Sequence, residues 1–443
     1  MPSRTLLFPG WFDRRLLTML TTASLTMAFS PAAAQDMARV RQTIEDLTAP
    51  RLHGRGYVQR GDQQAADYLR QRFRAAGLLA LTPNYTQPFR LTVNTFPGTL
   101  SLELEGTGDR QQLRAGHDFI AEPGSGGGKV SGPVVYLDTL VFSQEEAGRR
   151  FLAQSLRGKV VVLRHRDAER VRNLPDAFAR HLNQAGARVT LFPTKLTASL
   201  SDQQQPQPQL QVLASRWPAG TARATIRVEA KLAVDYPTQN LIGYVAGSVK
   251  PDSFLVVTAH YDHLGRMGRQ AYFPGANDNA SGTAMLLELA AYYGRPEHRP
   301  PYSIVFIAFG GEEAGLLGSR YLVSHPVLPL ERIRFLVNLD LLGTGQDGIT
   351  VVNGRLHEAQ YQLLTRLNAG GGYVAQLAPR GRAANSDHFP FSERGVPAFY
   401  FYTRGGSTAY HDVFDQPAAL SLAAFPGVFA LINGFLAALQ PKP

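Results

Sequence analysis

A chain of 443 residues with a formal net charge of +10 and no cysteine is too long for one ordinary domain and has ample material for a core. Without a thiol it forms no disulfide and no thiolate metal site, so any metal ligands must be nitrogen and oxygen. The positive balance would suit nucleic acid or a membrane surface, but the arginines are scattered, with no aromatic-interleaved basic run and no nucleic-acid motif, which leaves general surface charge.

Residues 1–34 read as a signal peptide. Arg4, Arg14 and Arg15 form a basic leader, Leu16 to Phe29 a largely apolar stretch, and Pro31 to Ala34 a small-residue cleavage site. The apolar stretch is too short to span a bilayer comfortably, so the rival reading of an uncleaved anchor is the weaker one. Cleavage near Ala34 removes those three arginines and Asp13, taking +10 to about +8, and gives an exported chain, periplasmic or extracellular, with no stable membrane insertion.

Two amphipathic helices follow, MARVRQTIEDL and QQAADYLRQRFRAAGL, joined through RLHGRGYVQRGD, whose Gly54-Arg55 pair reads as a simple connection. Beyond about residue 95 the composition shifts to short strands with Gly and Pro turns: LSLELEG, GPVVYLD, GKVVVLRH, RVTLFP and ATIRVEA. The tract Ser201 to Gln211, SDQQQPQPQLQ, reads as an exposed loop or a flap that gates substrate. From about residue 233 the runs FLVV, IVFIAF and FLVNL are apolar on both faces, as buried parallel strands covered by helices are. ASGTAMLLELAAYYG and ALSLAAFPGVFALINGFLAAL supply covering helices. The fold class is therefore α/β, a mostly parallel central sheet flanked by helices, interrupted by a β-rich segment.

Metal-liking side chains stand at or near the ends of these apolar runs: His260, Asp278, Glu312, Glu313, Asp340 and His411. In an open α/β sheet ligands gather beyond the carboxyl ends of strands, and Gly265, Gly275, Gly310, Gly311 and Gly343 flank these residues where backbone turns or approaches an ion. A hydrolytic two-metal site needs one carboxylate to bridge, one His and one further carboxylate per metal, and a carboxylate left over as base. His53, His117, His165, His181, His263, His298, His325 and His357 lack ligand partners at useful spacing and read as surface or hydrogen-bonded histidines.

These motifs resemble those of the co-catalytic zinc aminopeptidases, the superfamily that also holds glutamate carboxypeptidase, the transferrin receptor and glutaminyl cyclase. The likeness runs from Asp36 to about Pro441. It implies His260 as ligand with Asp262 as the carboxylate that orients it, and Asp278 as the bridge. It further implies Glu312 as general base, Glu313 and Asp340 as ligands, and His411, followed by Asp415, as the last ligand. One metal would take His260, Asp340 and the bridge, the other Glu313, His411 and the bridge. The expected cofactor is two Zn²⁺ per chain, although a carboxylate-rich site also accepts Mn or Co.

The order GKVVVLRHRD, helix, AGARVTLFP resembles a protease-associated domain, which gives a metallopeptidase domain over 35–94 and 233–443 with an insert over 95–232. Ser386, Asp387 and His388 match a segment that lies beside substrate in the family, where they would bind the tetrahedral intermediate or the free α-amino group; capping a loop is the competing reading. Tyr410 lends its hydroxyl or packs, and Phe389, Phe391, Phe399, Tyr400, Phe401 and Tyr402 suggest an apolar side-chain preference.

The implied activity is removal of N-terminal residues from peptides. The rivals are a carboxypeptidase or dipeptidase, a one-metal glutaminyl cyclase, and a non-catalytic binding protein. The chain stops soon after His411, without the helical dimerisation domain of glutamate carboxypeptidases. That favours an aminopeptidase acting as a monomer or weak homodimer.

Overall fold

The computed structural model describes residues 35–106 and 110–441, and the signal-peptide reading of residues 1–34 lies outside them. Its centre is a nine-stranded sheet. Lys250–His260 runs parallel to Tyr302–Phe309 on one side and to Ile333–Leu339 on the other, and Ala398–Thr403 continues in parallel. Ile349–Val352 closes one flank antiparallel to Ala398–Thr403 and carries Leu377–Pro379 beyond it. On the other flank Lys231–Val245 pairs antiparallel with Tyr302–Phe309, and Leu79–Ala80 and Thr86–Thr95 pair with it in turn. The apolar runs FLVV, IVFIAF and FLVNL are thus the parallel centre, buried on both faces as their unbroken hydrophobicity requires.

Helix Gly282–Tyr293 shows how that centre is covered. It is buried from Gly282 to Ala290, which fits a segment apolar all round rather than amphipathic. Its one carboxylate, Glu288, is buried and held in a two-pronged pair by Arg39, at 2.6 Å for each oxygen. This pins the first helix, Met37–Thr48, to the sheet's cover. Phe425–Ala438 packs against the same helix and against Glu358–Gly371.

The strands between Leu100 and Val228 form a separate eight-stranded sheet. Four of them, Gly128–Tyr136, Val160–Arg164, Ala187–Phe192 and Gln209–Leu213, are mutually parallel. Helices Glu145–Ala153, His165–Arg172 and Asp176–Leu182 lie along this part of the chain. The chain leaves the central sheet at Thr95 and rejoins it at Lys231, and these two residues face each other across paired strands. The Gln- and Pro-rich tract is shorter as a loop than its composition suggests. Gln207, Gln209 and Gln211 are buried, and strand Gln209–Leu213 begins inside it. Lateral pairing with Ala187–Phe192 overrides the low strand preference of such a sequence.

The turn Ala276–Ser281 locks the start of helix Gly282–Tyr293 against the end of strand Ile333–Leu339. Asn279 donates to the Leu339 carbonyl at 3.0 Å and accepts from the Gly282 N–H at 2.9 Å. Ser281 accepts from the Leu342 N–H at 2.7 Å, and Asn277 from the Gly343 N–H at 2.8 Å. These bonds set Asp278 beside Asp340. A Cβ at Gly282 would come within 2.5 Å of the Leu339 carbonyl oxygen, so Gly282→Ala should push helix and strand end apart. The expected loss is about 1–3 kcal/mol of stability, read as a lower denaturation midpoint in urea; an unchanged midpoint would show that the junction has slack.

Candidate active site

The carboxyl ends of the parallel strands deliver the polar cluster. His260 ends its strand, Glu312 and Glu313 follow Tyr302–Phe309 through a turn with Gly311 at φ +73°, and Asp340 follows Ile333–Leu339. His260 Nε2 stands 3.4 Å from Asp278 Oδ1 and 3.4 Å from Asp340 Oδ1. His411 Nε2 stands 3.1 Å from Asp278 Oδ2 and 3.2 Å from Glu313 Oε2. Asp278 therefore turns one oxygen to each histidine.

The ring nitrogens show what such a site would take. The Nδ1–H of His260 donates to the Asp262 carbonyl at 3.2 Å and that of His411 to the Ala198 carbonyl at 2.9 Å. A carbonyl only accepts, so in the neutral rings both Nε2 lone pairs point at carboxylate oxygens. Acceptor facing acceptor is stable only with a proton or a cation between them. Asp340 Oδ1 is also buried without a hydrogen-bond partner. His260, Glu312 and Asp340 offer ligand atoms within 4.8 Å of one another, as do His263, Asp278 and Glu313. This all-N,O donor set fits two hard or borderline dications.

Electrostatics agree. Burial opposes charge on His411, yet Glu313 and Asp278 hold its pKa up to about 11. Against burial, His411 and His263 hold Glu313 down to about 2. Burial drives the Glu312 carboxyl well above its ordinary value, with Glu313, Asp387 and Asp340 adding to the shift and His260 opposing it. The adjacent pair is thus driven in opposite directions by its surroundings.

Three features differ from the sequence reading. Asp262 does not reach His260 through its carboxylate, which is 3.8 Å from Nδ1. Instead that carboxylate accepts the N–H groups of Glu312 and Glu313 at 3.2 and 3.4 Å and the Tyr57 hydroxyl at 2.8 Å, so it positions the Glu-Glu turn. His263, set aside on spacing, sits in the cluster with Nδ1 2.5 Å from Glu313 Oε1. Ser386, Asp387 and His388 are all fully buried. Ser386 accepts from Asn338 Nδ2 at 2.8 Å and donates to Asp340 Oδ2 at 3.2 Å, so it steadies Asp340 from behind rather than meeting substrate.

The space above the cluster is a cavity of about 190 Å³, walled by Leu341, Asn385, Tyr400, Tyr402 and Tyr410 as well as the cluster itself. Tyr410 is 45% exposed and its ring stacks 4.0 Å from that of His411, which leaves the hydroxyl free at the mouth. Phe391, Phe399 and Phe401 are core.

Arg55 is the residue whose importance the sequence hid most completely. Wholly buried, it donates to the carbonyls of Tyr261, Leu47, Pro274, Gly275 and Asp278 at 2.6–3.3 Å. Burial lowers its pKa to about 10 against the opposing pull of Asp278, Asp415, Asp262 and Glu313, so it remains a cation beneath the acidic centre. Asp415 completes the base of the site, accepting the N–H groups of Asn277 and Asp278 at 2.8 and 2.9 Å.

Comparison with known proteins gives a consistent picture. Residues 240–435 match the model of peptidase family M28. Aminopeptidase YwaD of Bacillus subtilis (strain 168) is 25% identical over 402 residues, which is 88% of this chain and 85% of that protein. The fold of BSAP, a zinc aminopeptidase from Bacillus subtilis, superposes with a TM-score of 0.67 at 23% identity, covering 91% of this chain and 95% of that one. An aminopeptidase from Aneurinibacillus sp. strain AM-1 gives 0.64 at 20% identity, over 93% and 95%.

His388 offers a test of how dry the floor of the site is. Burial takes its imidazole down to about 4 from an ordinary 6.5, so the folded chain holds it neutral while the unfolded chain protonates it more readily. Its contribution to stability is present above about pH 6.5 and is lost as pH falls towards 4. Relative to His388→Gln, the parent should lose ~3 kcal/mol between those limits, measured by urea denaturation at each pH. A stability gap that does not move with pH would mean that water reaches the ring.

Proposed function

We propose, from the match of residues 240–435 to peptidase family M28 and the likeness to aminopeptidases, that the chain is an exported aminopeptidase of the zinc aminopeptidase superfamily. In this reading it uses two metals and removes single residues from the free N-terminus of peptides. The observation that carries the choice is the character of the cavity wall. At about 190 Å³ the space beside the cluster is compact, in keeping with one terminal residue seated there. Asp278, Glu312 and Asp340 line it and no Lys or Arg does, among the described residues. The wall therefore offers no cationic side chain to pair with a substrate's terminal carboxylate.

His260, Asp340 and Asp278 would hold one cation, and His411, Glu313 and Asp278 the other, with His263 fixing the free oxygen of Glu313. Cations held by these residues would supply Lewis-acid chemistry, a water of lowered pKa and a polarised scissile carbonyl. Glu312, which stands within reach of His260 and Asp340 but is assigned here to neither cation, would accept a proton from the attacking water and pass it to the departing amine. Asp262 and Tyr57 keep the Glu312–Glu313 turn in register for this transfer. Tyr400, Tyr402 and Leu341 supply the apolar walls against which a side chain rests.

Export rests on the basic, apolar, small-residue order of residues 1–34, with cleavage near Ala34. Among the described residues no helix is long and apolar enough to cross a membrane. The protease-associated reading of 95–232 is supported by the paired exit and return at Thr95 and Lys231. One observation favours a carboxypeptidase or dipeptidase instead: Arg380 Nη1 lies 3.4 Å from the hydroxyl of Tyr402, at the edge of the cavity. A one-metal cyclase or a binding protein leaves the second donor set or the base without a use.

Hydrolysis of free and N-blocked aminoacyl amides by the mature chain, with metal content measured on the same sample, decides among these. Turnover of free-amine substrates alone with about two metals bound supports the proposal, whereas cleavage next to a free carboxylate transfers it to the Arg380 reading. Glu312→Gln should lower kcat by at least ~10³-fold and keep both metals, while Asp278→Asn should lose metal as well. Equal metal loss in the two variants would remove Glu312 from the role of base.

A further inference from the structure

His411 differs from the other donors in having no strand or helix beneath it. It lies on the irregular stretch between Ala398–Thr403 and Phe425–Ala438, and its φ of +55° is one that residues with a side chain seldom adopt. What holds it comes from the β-rich excursion. Ala198, on the link between strands Ala187–Phe192 and Gln209–Leu213, accepts the His411 Nδ1–H at 2.9 Å and donates its own N–H to the His411 carbonyl at 2.9 Å. Three residues earlier, Lys195 donates to the Thr408 carbonyl at 2.9 Å and pairs with Asp412 at 3.0 Å. Beyond His411, Val413 is buried in the apolar core of that second sheet together with Leu196 and Ala198, and Phe414 sets its ring edge-on to His117 at 5.2 Å.

We infer that the segment Lys195–Ala198 of the insert is a working part of the catalytic site, with Ala198 and Lys195 as positioning residues for His411. A hydrogen bond to the remote nitrogen of a ligand histidine fixes its tautomer and its aim. Here that bond is made by a main-chain carbonyl of the insert, and it directs Nε2 towards Asp278 and Glu313. The reciprocal Ala198 N–H bond holds the unusual backbone of His411 in place. The Lys195 contacts close the clamp on the Thr408 side. Any displacement of this segment therefore reaches the donor set on the His411 side and leaves the His260–Asp340 side alone. Such a device gives the insert a catalytic purpose that needs no substrate contact of its own.

This inference rests on the two-metal reading above, and the test separates the two. On the full mature chain, zinc affinity is measured by chelator competition alongside kcat, KM and thermal midpoint for the parent, Lys195→Ala, Lys195→Arg and Ala198→Pro. Lys195→Ala should weaken one of two zinc ions by roughly 10-fold or more and leave the other unchanged. Its kcat should fall at limiting zinc and recover in excess zinc, with KM within about 2-fold and with Lys195→Arg close to the parent. Ala198→Pro, which deletes the N–H, should act in the same direction and more strongly; where it fails to fold, the Lys195 pair decides. Folded variants with parental affinity for both ions would overturn the clamp while leaving the peptidase reading intact. A parent that binds fewer than two ions would overturn both.

Discussion

Like charge crowded into a dry place is the constraint on which this structure turns. Asp278, Glu312, Glu313 and Asp340 converge where the parallel strands end, with Asp262, Asp387 and Asp415 close behind. Uncompensated, so many buried carboxylates would be prohibitive. The fold answers from below with the Arg55 guanidinium and from the sides with main-chain N–H groups, two of them on Asp262 and two on Asp415. What remains facing the cavity is the Nε2 atoms of His260 and His411 and the carboxylate oxygens of Asp278, Glu313 and Asp340 around them, a donor set of the kind that holds cations.

The parallel sheet is the means of collection. Strands that run the same way end on the same side, so residues far apart in sequence arrive within a few ångströms without a long loop to order. The Asn277–Ser281 turn then fixes the lateral spacing between Asp278 and Asp340 through its own side chains. His411 is the exception, reached by a loop, and the strand-rich excursion from Thr95 to Lys231 supplies the rigidity that the central sheet does not. A site assembled this way has donors held by sheet ends and one, His411, held by docking.

The parts of the site that were hard to foresee are all matters of direction. Asp262 stands two residues from His260, a spacing that suggests a carboxylate on the ring, yet the backbone turns so that the main-chain carbonyl takes that place. His263 looked unpartnered because its partner, Glu313, is 50 residues away and meets it only across strand ends. Ser386, Asp387 and His388 lie at the right place in the chain for substrate, but the short helix His388–Glu393 begins there and turns them under the floor. Arg55, within an ordinary helix connection, gave no sign of reaching five carbonyls. Glycines marked its neighbourhood: a Cβ on Gly54 would come 2.5 Å from the Gly265 and Phe273 carbonyl oxygens.

By itself the sequence determined the layer plan and the kinds of side chain that meet at the strand ends. Hydrophobic period and run length dictate which segments are buried parallel strands and which are covering helices, and the residues at the strand ends are imidazoles and carboxylates. Those are local properties, carried by composition within a few residues. Only the tertiary structure decided which nitrogen of each histidine faces inward, which carboxylate holds a turn and which lines the cavity, and that the strand-rich excursion reaches His411. These depend on backbone turns and on contacts between residues hundreds of positions apart, where an error of one rotamer or one turn exchanges a ligand for its support.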